Sequence, residues 1–200
     1  DLHTGSRHRT NLPQIRACLK DQRTNHLAHQ FGVPVILDAD LIEGSLRKVA
    51  YKKKIPMIVF EGGESLRYDE ITIRSGLSGI LSVMQSLGMI GEEAKKSKFI
   101  KSIVANRSYW ERAPHSGILI LKKKLGSVVN PNEILGIISD PLGNDNIEVR
   151  AKEKGVIIGH TQLPLVNKGD ALFHVATFDT TKSVYKVIEN FDDKFDYEER

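Results

Sequence analysis

Two short, unbroken apolar runs set the reading of the first half of the chain: Val33-Pro34-Val35-Ile36-Leu37 and Ile55-Pro56-Met57-Ile58-Val59-Phe60. Apolar runs without alternation suit strands covered on both faces of a sheet. Ahead of the first run, Gln14 to Gln30 has a helical pattern, with Ile15, Cys18, Leu19 and Leu27 available for one face. After the second, Ile73, Leu77, Ile80, Leu81, Met84 and Leu87 recur at helical spacing, with Asp69 as cap and Gly88 as stop. The pattern then changes. From about Ser102 to Ala176 the apolar segments are short and are punctuated by Gly, Pro, Asn and Asp, as in an all-β region. These patterns predict an α/β unit over residues 1–98, a β unit over 99–178 and an acidic tail over 179–200. The polar stretch Gly91 to Lys98 is the expected linker, and the end of the tail is expected to fray.

A degenerate repeat lies inside the β region. Gly117-Ile118-Leu119-Ile120 leads to Val129-Asn130-Pro131-Asn132-Glu133-Ile134-Leu135, and Gly155-Val156-Ile157-Ile158 leads to Val166-Asn167-Lys168-Gly169-Asp170-Ala171-Leu172. Two such units can bury their apolar faces only against each other. The expected product is a small all-β barrel-sandwich, which resembles biotinyl and lipoyl carrier domains. A carrier presents a modifiable lysine between its halves. The corresponding stretch here, Ser139-Asp140-Pro141-Leu142-Gly143-Asn144, has none. The fold resemblance stands without the carrier function.

Composition narrows the class. The chain has 200 residues, 40% hydrophobic and 27% charged, ordinary for a soluble globular protein. No apolar run approaches the roughly 20 residues that span a membrane. Asp1-Leu2-His3 opens in polar sequence, unlike a signal peptide. With Cys18 as the single cysteine, intrachain disulfides and a Cys-rich zinc cluster are excluded, and a reducing, cytoplasmic setting is expected. The net charge is +4, but the runs Lys52-Lys53-Lys54 and Lys122-Lys123-Lys124 lie far apart without interleaved aromatics. That argues against a nucleic-acid partner. A substrate carboxylate accounts equally well for a mild positive balance.

Candidate chemistry rests on two places. In Asp1-Leu2-His3-Thr4-Gly5, residues two apart on a strand share a face, so Asp1 can hold the His3 ring as carboxylates hold metal-bound imidazoles. Glu61-Gly62-Gly63-Glu64 puts a carboxylate at the end of an apolar strand, where desolvation would suit a general base. His26 and His29 have helical metal-site spacing within a polar stretch, and His115 precedes a strand and could approach the site. His160 and His174 are expected within or beside the β region.

The ordered set Asp1-Leu2-His3-Thr4, Asn11-Leu12-Pro13, Phe31-Gly32-Val33-Pro34-Val35-Ile36, Gly44-Ser45-Leu46-Arg47-Lys48-Val49-Ala50 and Ile55-Pro56 to Glu61-Gly62-Gly63 resembles the succinylglutamate desuccinylase/aspartoacylase family. Arg112-Ala113-Pro114-His115-Ser116-Gly117, Asp140-Pro141-Leu142-Gly143 and Pro164-Leu165-Val166-Asn167-Lys168-Gly169-Asp170 extend the likeness to about residue 178. The resemblance implies a zinc-carboxypeptidase-like domain, present here in its C-terminal part, followed by the β domain. It implies one zinc per intact active site, with His3 as a metal ligand, Glu61 as general base and Arg47 as the residue that grips a substrate carboxylate or polarises the scissile carbonyl. The expected function is zinc-dependent hydrolysis of a linear amide in a small N-acyl amino acid. The alternatives are a carboxypeptidase-like peptidase and a non-catalytic β module that docks a partner or shapes a homo-oligomer. Three features of the family are missing: an upstream His-x-x-Glu supplying the other two ligands, an upstream Asn-Arg pair that recognises substrate, and a tyrosine near Val166-Asn167, where Leu172 and Phe173 stand. The isolated piece is therefore expected to be inactive.

Overall fold

The computed structural model describes residues 1–91, 100–178 and 184–196. Its centre is one long strand. β2 (Arg9–Ala17) follows the short β1 (Leu2–Gly5) and is flanked along one side by β4 (Val59–Glu64), antiparallel to it. On its other side it pairs antiparallel with β11 (Gly155–Thr161) over Arg9–Asn11 and parallel with β3 (Val35–Asp38) over Gln14–Ala17. The change of partner falls at Leu12-Pro13, where the register with β4 also shifts. Pro13 has no N–H to give to a ladder, so a break in pairing is cheapest there. β1 lies parallel to β4, and β3 continues to β5 (Ile103–Ala105).

The expected helix from Gln14 to Gln30 is corrected in its first part. Gln14 to Ala17 belong to β2, and the helix α1 runs Gln22–Phe31, capped by the Asp21 side chain on the Thr24 amide. The pattern misled because a strand buried on both faces carries no period of two. Only the end of the second apolar run, Val59-Phe60, lies in β4, and the strand continues past Glu61 to Glu64. A helix α2 (Leu46–Lys52), capped by Ser45, separates β3 from β4. α3 (Glu70–Ser86) starts at the expected Asp69 cap, and Gly88 follows its end in a left-handed conformation.

The buried face of α3 is only partly the expected one: Ile80 packs half-buried against the core, but the most buried positions are small residues. Ser75, Gly76, Gly79 and Ser82 are turned inward, while Ile73 and Leu77 are about half exposed, at 47% and 57%. Close approach decides this: a Cβ on Gly79 would meet the Phe31 ring at 2.1 Å and one on Gly76 the Phe60 ring at 3.1 Å. Phe31 and Phe60, stacked at 5.2 Å, fill that space together with Ile15, Ala28, Val33 and Ile36. Small residues let the helix sit tightly on those two rings, and Ile73, Leu77 and Leu87 of the apolar stripe are left at the rim.

The second half holds β6 (Arg107–Arg112), β7 (Gly117–Leu121), β8 (Val128–Val129), β9 (Ile134–Ser139), β10 (Asn146–Arg150), then β11, β12 (Leu165–Val166) and β13 (Ala171–Thr177). The two repeat units exchange their middle strands. Gly117 of the first unit pairs with Val166 of the second, and Gly155 of the second pairs with Val129 of the first. The turns match as well. The Glu133 carboxylate accepts from the Asn130 amide and the Asp170 carboxylate from the Asn167 amide, each at 2.8 Å. Ala151 N–H donates to Glu133 O and Ala113 N–H to Asp170 O, each at 2.9 Å. Val129, Leu135, Ala151 and their counterparts Val166, Leu172 and Ala113 form one shared core. This reciprocity is a topological twofold.

The β strands do not close on themselves. β10, β9, β7 and β12 form a four-stranded sheet, whereas β11, β13, β6 and β8 belong to the same sheet as β2. The expected small all-β barrel-sandwich is thus not a separate unit: its two halves share one core, but one of its sheets runs on into the α/β half through β11. At the turn after β9, the Asp140 carboxylate accepts from the Asn144 and Asp145 amides. Part of the tail is also corrected: Val184–Asp196 forms helix α4, whose Val184, Ile188, Phe191 and Phe195 are buried. Apolar residues at 184, 188, 191 and 195 are helically spaced beneath the acidic composition. The expected linker from residue 92 onward and the last four residues of the tail, with Glu198 and Glu199, lie outside the described residues.

Candidate active site

The parallel pairing of β1 with β4 sets His3 opposite Glu61 as Cα partners. His3 Nε2 lies 3.1 Å from Asp1 Oδ2, so the expected approach of these two residues is present. The β1–β2 turn that brings the chain back is tight. A Cβ on Gly5 would lie 2.2 Å from Arg9 O, and only glycine fits.

Glu61 is held from β2. Arg16 Nε donates to Glu61 Oε1 at 2.9 Å, and Nη2 reaches Oε2 at 3.4 Å, a two-point grip between side chains that are 28% and 17% exposed. The two lie diagonally across the β2·β4 ladder, on the face opposite the Ile15–Phe60 pair. Desolvation alone was the expectation for Glu61. The structure supplies a cationic partner as well.

These residues line a polar cavity of about 350 Å³. The α/β half contributes His3, Arg9, Asn11, Arg16 and Glu61, and the β half contributes Ser108, Trp110 and His174. Arg9 and Asn11 are two apart and share a face of β2. Arg16, an odd number of positions from Arg9, would point the other way in a regular strand. The break at Leu12-Pro13 restores it to the same cavity.

The β-half wall is a stack. Trp110 and His174 are cross-strand partners on β6 and β13, with ring centroids 4.5 Å apart and planes 9° from parallel. His174 Nε2 is 2.9 Å from Ser108 Oγ, and the Arg9 guanidinium carbon lies 4.7 Å from the Trp110 ring centroid. Burial pushes the His174 imidazole down to about 4, helped by the positive charges of Arg16 and Arg9. His174 is therefore a neutral polar group at neutral pH. It belongs to the cavity, which its position inside an apolar strand gave no means of telling.

No protein-family model matches the chain, and no curated protein matches it in sequence. Solved structures do match. An ectoine utilization protein from Ruegeria pomeroyi superposes with a TM-score of 0.79 at 15% identity, covering 89% of this chain and 59% of its own. A succinylglutamate desuccinylase/aspartoacylase from Rhodobacter sphaeroides does so with a TM-score of 0.76 at 21% identity, covering 88% and 56%. An aspartoacylase family protein from Mesorhizobium loti gives 0.68 at 16%, covering 89% and 62%. The chain has the succinylglutamate desuccinylase/aspartoacylase fold. It spans less than two thirds of the length of these structures.

Within the desuccinylase/aspartoacylase fold, the remaining candidates fall as follows. Arg47, on α2, donates to the carbonyls of Ala39 at 3.0 Å and Asp40 at 3.3 Å and lines a separate small cavity with Cys18 and Tyr51. Its pKa is lowered first by burial and then by the charge of Arg16. The structure thus brings His3 and Glu61 together in one cavity and places Arg47 in the lining of another. His115 is exposed with Nδ1 on the carbonyl of Ser116, away from the cavity lining. His26 and His29 lie on α1, where His29 bonds the carbonyl of Asn25. Among the described residues no three His, Cys, Asp or Glu side chains converge as a metal site, and no helix is long and apolar enough to cross a membrane.

Proposed function

We propose that this chain carries the proton-transferring carboxylate and one zinc ligand of a hydrolase that cleaves the amide bond of N-acyl amino acids. The observation that carries the reading is the pairing of His3 with Glu61 in one polar cavity, with Arg16 fixing the carboxylate. A catalytic zinc needs about three protein ligands and one open position. The described residues supply His3, oriented by Asp1, and do not complete that set. The other ligands would come from outside them. When bound, zinc supplies an acidified water.

The residues of this chain account for the rest. Glu61 takes a proton from the attacking water at one carboxylate oxygen and returns it to the leaving amine. Arg16 keeps that carboxylate oriented through the cycle. The β-half wall of Ser108, Trp110 and His174 limits what enters, and about 350 Å³ is of a size for one small molecule. That favours an N-acyl amino acid over a peptide. The reducing, cytoplasmic setting is supported by the single, buried, free Cys18.

The test is Glu61→Gln in the zinc-loaded full-length enzyme that supplies the remaining ligands, assayed by amine release from a panel of N-acyl amino acids. Zinc should be retained and turnover should fall roughly 10²- to 10⁴-fold, the scale of general-base catalysis. Near-normal turnover would return Glu61 to a structural role.

A further inference from the structure

We propose that Arg9, braced on Trp110, is the group in this cavity that binds a carboxylate of the ligand. The inference rests on the hydrolase reading only for the kind of ligand, an N-acyl amino acid; the anion preference itself comes from the geometry. Three arginines lie in or near the cavity, and two are committed. Arg16 spends two of its nitrogens on Glu61. Arg47 donates to the carbonyls of Ala39 and Asp40 and faces another cavity. Arg9 has no carboxylate partner among the described residues. Its polar contact is Ser6 Oγ at 3.5 Å, the limit of a hydrogen bond. A guanidinium has five N–H donors in a planar fork, so most of those on Arg9 stay available. Of the charged side chains in this lining, Arg16 and Glu61 neutralise each other, and Arg9 is the uncompensated one.

The support beneath Arg9 is rigid. Its guanidinium sits over the Trp110 ring, which is stacked on its cross-strand partner His174, itself anchored to Ser108. Cation–π contact holds the charge in place without using its donors. A fork held this way loses little freedom on gripping a carboxylate, and that is where pre-organised sites gain affinity. Because His174 is neutral, the wall adds no second cation to draw the anion away from Arg9. The ligand is thus oriented with its carboxylate toward the β-half wall and its amide toward His3 and Glu61.

Trp110 is the only tryptophan in the chain, so its fluorescence reports this cavity directly. The experiment titrates the protein with N-acetylglycine and with N-acetylglycinamide, which differ in having a carboxylate or a neutral carboxamide. The acid should produce its half-maximal change at a concentration about 10-fold or more below the amide, the scale of a charge-assisted bond. Arg9→Gln should erase the acid preference and leave the amide response in place. A merely structural Arg9 would lower both responses together. Arg9→Lys keeps the charge without the fork and should keep part of the preference. Equal responses to acid and amide in the unmutated protein, or an undiminished preference in Arg9→Gln or in Arg9→Lys, would overturn the assignment. No turnover enters this measurement. Normal turnover in Glu61→Gln would sink the hydrolase reading with the acid preference intact, and equal responses here would sink the Arg9 assignment with the hydrolase intact.

Discussion

Arg16 and Glu61 meet diagonally across the β2·β4 ladder, Nε to Oε1 at 2.9 Å, on the face of the sheet that looks toward the β half. Removing either partner leaves the other partly buried charge unsatisfied. Arg16→Gln and Glu61→Gln should each lower unfolding free energy by about 1–3 kcal/mol. The double variant should show a coupling of about 1 kcal/mol or more in urea unfolding. Strict additivity of the single effects would mean that the pair is not energetically joined.

Acid should destabilise the protein through the β-half wall. His174 has its pKa depressed from 6.5 to about 4 in the fold, so the unfolded chain binds the proton more readily between these values. Stability from this group is therefore complete above about pH 6.5 and is lost as pH falls toward 4, a loss on the order of 3 kcal/mol. Burial also lowers the pKa of His160, in the same direction. Urea midpoints at pH 7 and pH 5 should differ for the native sequence, and His174→Asn should shrink that difference. An unchanged difference in the variant would show that His174 is not the group involved.

Gly117 and Gly155 occupy equivalent places in the exchanged-strand pairing. A Cβ would lie 2.5 Å from Ser139 O at the first and 2.3 Å from Ala176 O at the second. Backbone is met in both cases, so relief requires a strand to move. Gly117→Ala and Gly155→Ala should each lower the melting temperature, with costs of about 1–3 kcal/mol that resemble each other. Thermal denaturation of the two variants checks this, and an unaffected melting temperature in either would contradict the equivalence.

Zinc should be held weakly by the 200-residue chain. A single imidazole beside one carboxylate cannot supply the chelation of three protein ligands. After dialysis, elemental analysis should find far less than one zinc per chain. One full equivalent retained would show that the chain does complete a site.

Much of this protein was legible in its sequence. The strand β3, the start of β4, the Asp69 cap, the approach of Asp1 to His3 and the duplicated Val-Asn units all follow from contacts within a few residues or from repeated pattern, whereas Gln14 to Ala17 of the central strand β2 read as helix. The ordered motifs also indicated the fold seen in the solved structures. Other features depend on what lies across from a residue, and no pattern along the chain records that. The buried face of α3 was set by Phe31 and Phe60, which accept glycine and serine closer than leucine. The place of Arg9 beside Arg16 was set by one break at Leu12-Pro13, because a strand's period of two reverses with each inserted residue. His174 entered the cavity because β11 pairs with β2 and carries β13 and β6 along with it. Residue chemistry and local pattern named His3 and Glu61; the joining of distant strands into one sheet decided what surrounds them.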